Sequence, residues 1–182
     1  GAQSLAARNA NSRNTAIGRR AQFSNTDGND NVAVGSLAML ADTTGSESVA
    51  IGYNSLAAQT TRIGNVAVGH SALQNALVGS SVAIGASSQL ATTTGQWVPS
   101  TSIGAFALAS NTLGQHNVAI GNQANPLAAM GLGNIAIGAS TMNSATGGFG
   151  TVIGTRALFA DTVPNHSTFV GYESGAAAGP ST

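Results

Sequence analysis

Three histidines, His70, His116 and His166, and six carboxylates, Asp27, Asp30, Asp42, Glu47, Asp161 and Glu173, are the side chains with the most evident capacity for acid–base or metal chemistry in this 182-residue chain. Their spacing argues against most of that chemistry. No two histidines stand four apart on a helical face, and there is no cysteine to complete a zinc site. Paired carboxylates could hold calcium or share acid and base duties, and Asp30 and Glu47 stand 17 residues apart in equivalent places. The acids fall in turn-like stretches without a recurring Asp, so solvent-facing turns are their expected setting, as they are for His116 and His166. GLGNIAIG at 131–138 lacks the following helix and ribose-binding acid of a dinucleotide loop. GHSAL at 69–73 lacks the closing glycine of a nucleophile elbow. The expectation is a protein without catalytic residues, cofactor or metal.

Those sparse residues are set in a repeat that covers most of the chain. A glycine recurs at Gly18, Gly35, Gly52, Gly69, Gly85, Gly104, Gly121, Gly138, Gly154 and Gly171, at intervals of 16 to 19 residues and mostly 17. The residue before it is Ile or Val in all ten copies, and the third before it is β-branched in all ten, from Thr15 to Thr168. Between these stands Ala in seven copies, replaced by Ser102, Val152 and Phe169. Asn or Ser stands four before the glycine in nine copies, with Gly150 the exception, and Ala, Ser or Thr always stands three after. Alternating β-branched and small residues suit a pleated strand and disfavour helix. A second short strand is expected through the small residue and the Leu that often follows, as at Leu73, Leu108 and Leu158. Polar turns such as SNTDG and ADTTG then close each coil. The fold class is all-β: a parallel β-solenoid of about ten 17-residue coils over 14–171, with 1–13 as lead-in or cap and 172–182 as tail.

Side chains alternate across a strand, so the Val and Ile of NVAIG share one face and Ala and Gly the other. The expectation drawn here is that the large pair fills the lumen. Ala33, Ala50, Ala67, Ala83, Ala119 and Ala136 would then face identical chains packed closely around a common axis, with Phe169 plugging or widening that axis near the C-terminal end. Composition describes a chain that is neither disordered by charge nor built around an aromatic core. Charged residues make up only 7%, the formal charge is zero, and neither a nucleic-acid footprint nor a membrane span is present in the sequence. Arg8, Arg13, Arg19 and Arg20 form the single local excess of charge.

The tenfold [NS]-[VT]-A-[IV]-G-x-x-[AS] pattern over 14–171 resembles the head repeats of YadA-like trimeric autotransporter adhesins, and its NTxG-containing variant is similar to repeats of phage-type trimeric fibre proteins. The resemblance implies a left-handed β-roll, a homotrimer and attachment to a surface glycan or protein, at a cell surface or on a virion. At about 17 residues the repeat is longer than the compact adhesin-head unit, and no neck motif or heptad stalk is recognisable. A shaft or spacer without a ligand site of its own is the alternative. On a uniform scaffold, recognition is sought where the repeat fails. The longest coil carries TTTGQWVPS, whose Gln96 and Trp97 would serve either as an exposed anchor or as a cover over the lumen or a neighbouring subunit. Arg19, Arg20, Tyr53 and His70, which follow the motif glycine, are the other candidates for an outer binding face.

Overall fold

The computed structural model describes residues 3–5, 13–75, 77, 79–90, 99–112, 114–125, 131–142, 148–159 and 166–175. Each motif copy forms a three-residue strand: β1 (Thr15–Ile17), β2 (Val32–Val34), β3 (Val49–Ile51), β4 (Val66–Val68), β5 (Val82–Ile84), β6 (Thr101–Ile103), β7 (Val118–Ile120), β8 (Ile135–Ile137), β9 (Thr151–Ile153) and β10 (Thr168–Val170). They stack in chain order as one ten-stranded parallel sheet, with no helix among the described residues. The register is that of the repeat: Ala33 pairs with Ala50, Ala50 with Ala67, and Val34 with Ile51. At about 4.8 Å per strand the stack is roughly 45 Å long. Residues 3–5 add part of a further coil, because Gln3 and Leu5 repeat the positive φ of the equivalent turn residues and the Leu5 N–H donates to the Ala21 carbonyl at 3.0 Å.

The two faces of the strands are the reverse of the expectation. Ala33, Ala50, Ala67, Ala83, Ala119 and Ala136 are fully buried inside the coil, so they are not available to pack on an axis between chains. The flanking Val and Ile point outward, and none of the residues one or three before the motif glycine is buried. The reason is the width of the coil. The segment after the glycine is not a strand but a turn in which left-handed residues alternate, such as Leu37 (φ 62) and Met39 (φ 50), or Ser71 (φ 55) and Leu73 (φ 49). This path turns the fourth residue after the glycine inward, where Met39, Leu56, Leu73, Leu108, Met142 and Leu158 are buried in the lumen and Gln22, Gln89 and Asn125 share their column. Opposite such side chains the strand carries mostly alanine, although Val152 is also fully buried in the coil of Leu158.

Two of the departures from alanine are matched across the lumen. Ser102 takes a hydrogen bond from the Ser88 hydroxyl at 2.7 Å, so two buried polar groups satisfy each other. Phe169 was expected on the axis, but it packs partly buried against the interior cluster. Its ring fills the space left by Gly175, where the previous coil carries Leu158: a Cβ on Gly175 would lie 2.5 Å from the ring. The last described coil has therefore exchanged small and large between its two walls.

Two ladders lock the coils together. Asn31 N–H donates to Asn14 Oδ1, Ser48 N–H to Asn31 Oδ1, Asn65 N–H to Ser48 Oγ and Ser81 N–H to Asn65 Oδ1, at 2.9 to 3.2 Å. The same relay runs through Ser100, Asn117 and Asn134 to the Gly150 N–H, and Gly150, without a side chain, ends it. The Asn or Ser column thus joins successive coils rather than only shaping its own turn. The motif glycines form the other ladder. Gly35 has φ +136, and a Cβ there would stand 2.4 Å from the Gly52 carbonyl oxygen, which no residue with a side chain could accept.

Candidate functional surfaces

The front of the solenoid is its most distinctive surface. Outward-facing Ile and Val side chains in vertical register make an aliphatic stripe along the sheet, with Ile51 41% exposed, Ile120 37% and Val170 67%. No charged residue interrupts it, because the two outward strand positions are Ile, Val or Thr in all ten copies. A continuous apolar strip of this length is unlike the scattered hydrophobics of an ordinary surface.

One edge beside the stripe carries the residues that follow the motif glycine. Here the structure brings Tyr53 and His70 together: their rings stack across adjacent coils with centroids 5.3 Å apart and planes 26° apart. Tyr53 is 48% exposed, so the pair is an accessible aromatic step. Arg19 lies exposed on the same edge. Arg20 turns away, its guanidinium carbon 4.7 Å from the Phe23 ring centroid, and it covers that ring instead of joining the Tyr53–His70 step. Gln96 and Trp97 lie outside the described residues, as do Arg8 and Asp161.

The opposite edge carries the residues five before the glycine. Arg13 grips Asp30 with two hydrogen bonds, Nε to Oδ1 at 2.5 Å and an NH2 to Oδ2 at 2.7 Å, which holds the Asp30 carboxyl below its ordinary range. Asp30 is therefore engaged by arginine rather than paired with Glu47 for catalysis. On the first edge, two residues after their glycines, Glu173 is likewise within 3.3 Å of Arg156. His166 stacks on Phe149 at 5.3 Å, and His116 stands apart at a cleft, so the three histidines are not brought together. Among the described residues no group of three His, Asp or Glu is arranged to hold a metal.

Two places were not visible as sites in the sequence. Asp42 is fully buried among amides rather than exposed in its turn. Its Oδ1 accepts the Gly45 N–H at 2.9 Å and its Oδ2 accepts the Asn25 amide at 3.2 Å. Burial outweighs these bonds and pushes the carboxyl up to about 6. The signal in the sequence is positional: Asn25, Gln59 and Asn111 occupy the same place seven after the glycine, and all are buried. The second place is a cleft of about 270 Å³ at the irregular coil, lined by Ser80, Pro99, Ser100, Thr101, His116, Asn117 and Val118. Its signal is the 19-residue interval before Gly104.

Comparison with protein-family models, with curated proteins and with solved structures finds no match to the chain.

Proposed function

We propose that the chain is a rigid, non-enzymatic fibre or head domain, which assembles with two identical copies and presents its outer edges for attachment to a surface glycan or protein. The observation that carries this reading is the aliphatic stripe. An apolar strip along the whole sheet is costly to leave in water, and a second copy supplies a surface of the same length, period and neutrality. Three such strips meeting around one axis bury all of them while leaving the polar edges outside. The number three comes from the resemblance of the NVAIG repeat to trimeric adhesin heads, and so does the placement at a cell surface or on a virion. The corrected orientation supports the association differently from the sequence reading: the axis would be lined by Ile and Val, with the alanines inside each coil. Attachment is supported by the Tyr53–His70 step, whose exposed rings are of the kind that stack on sugars and protein hot spots.

Light scattering tests the assembly. The expected mass is three times the 17.8 kDa of the chain, and Ile51→Asp with Ile120→Asp is expected to release folded single chains. A wild-type mass of one chain across micromolar concentrations would refute the assembly. For attachment, glycan and matrix-protein arrays are expected to give saturable binding that weakens in Tyr53→Ala. Absence of binding on every surface would leave the shaft or spacer reading in its place.

A further inference from the structure

The cleft beside Pro99 has a clear structural origin. In regular coils, the N–H of the residue five before the motif glycine donates to a carbonyl of the preceding coil, as Glu47 does to Asn29 at 3.0 Å and Phe149 to Leu132 at 2.7 Å. In the irregular coil this place is taken by Pro99, which has no N–H to donate. The next coil adjusts: His116 N–H donates to the carbonyl of Pro99 itself at 3.0 Å. A recess of about 270 Å³ opens at this fault, between the Ser80 and His116 edge and the outward faces of Thr101 and Val118.

We infer that this cleft is a subsite for one neutral hexopyranose ring, an inference that rests on the attachment reading above and narrows it to a saccharide. Size is the first argument, because the recess is below the range of drug-sized pockets and suits a single six-membered sugar ring. Chemistry is the second. The lining offers the hydroxyls of Ser80 and Thr101 and the His116 imidazole for hydroxyl groups, beside the apolar carbons of Val118 and Pro99 for a C–H face. Among the described residues no carboxylate, arginine or lysine lines the cleft, so neither a divalent cation nor a strongly acidic ligand has a fixed partner among them. An extended peptide is disfavoured because the neighbouring strand N–H groups are already engaged, Thr101 to Asn117 and Val118 to Asn134, both at 2.8 Å. The place is also rigid by construction: Asn117 beneath the cleft is fully buried, and its N–H is tied to Ser100 Oγ at 3.2 Å.

The test is titration of the assembled wild-type protein with the methyl glycosides of glucose, galactose, mannose and N-acetylglucosamine, read by the NMR signals of the His116 ring. At least one sugar is expected to give a saturable shift with millimolar affinity, the weak binding a single ring provides. His116→Asn and Ser80→Asn are chosen because both native residues are exposed with positive φ, 55° and 57°, which asparagine tolerates. Each is expected to keep the wild-type melting temperature within a few degrees and to weaken binding at least tenfold. Absence of any shift at His116 with all four sugars, or unchanged affinity in both folded variants, would overturn the inference. Array binding that survives both substitutions would remove the saccharide cleft and keep attachment, whereas hexose binding at His116 without attachment to any surface would do the reverse.

Discussion

At the scale of single residues, Asp42 makes the most definite statement about pH. Its carboxyl is raised from an ordinary 3.8 to about 6 in the folded protein, mainly by burial. The folded state therefore holds a proton that the unfolded state releases between those values. Asp42 costs no stability below about pH 4; the penalty grows as pH rises through about 6 and is complete above it. A shift of this size corresponds to roughly 2–3 kcal/mol. Asp42→Asn keeps an acceptor for the Gly45 N–H and has no charge to bury. The variant is expected to lose the difference in stability between pH 4.5 and pH 7.5 that wild type shows, and to be the more stable protein at pH 7.5. Urea unfolding of both proteins at the two pH values checks this, and parallel pH profiles would show that Asp42 ionises without cost. The Arg13–Asp30 pair acts in the opposite sense, since its depressed carboxyl loses a partner only as pH falls below the ordinary aspartate range, and its exposure makes its contribution small.

At the scale of the coil, the interior column four after each glycine sets the packing. Gln89 stands there between Leu73 and Leu108, fully buried, and neither its Oε1 nor its Nε2 has a hydrogen-bond partner among the described residues. Such amide groups cost about 1–3 kcal/mol when left unsatisfied. Gln89→Leu is expected to raise stability by about that amount, and the melting temperature by a few degrees, read by calorimetry. A lower melting temperature would mean that water or local rearrangement already satisfies the amide. The neighbouring strand separates the two faces: Ala83→Asp would bury an unpaired carboxylate and prevent folding, whereas Val82→Asp places its charge outside and is expected to leave a folded but unassembled chain. Circular dichroism and mass of the two variants decide between the faces. The same strand shows what the sequence could reveal. Ten copies of one phrase fixed where strands begin and end and how they register, because β-branched, small, β-branched residues have little other use. The period of two announced that Ala83 and Val82 point oppositely, yet contained no information about which was inside. That sign depends on the width of the coil, which is set by left-handed Leu37, Met39, Ser71 and Leu73, and leucine, methionine and serine carry no marker of positive φ. Asp42 is hidden in a comparable way: the loop composition of ADTTG says turn, and only the company of Asn25 and Gln59 in its column says buried.

For the whole molecule, the consequence of the corrected faces is that apolar surface is divided between the lumen, which folding buries, and the outward stripe, which only a partner could cover. Within a chain the lumen is filled mainly by Ala, Leu and Met, a thin core for a rod roughly 45 Å long, and much of the large aliphatic volume of β1 to β10 lies outside it. If copies cover that stripe, part of the stability of each chain belongs to the assembly and follows mass action. The melting temperature is then expected to rise by several degrees between about 1 and 100 µM wild-type protein, a range in which a folded single chain would show no change. Val82→Asp should abolish that dependence and melt at or below the lowest wild-type value, since its lumen is intact and its stripe is charged. The neutral composition sharpens the measurement, because added salt has few exposed charges to screen and should strengthen association through the apolar stripe rather than weaken it. A wild-type melting temperature independent of concentration, together with a one-chain mass, would mean that the stripe is left open to water, and that the rod is held together by its lumen and its Asn and Ser ladder alone.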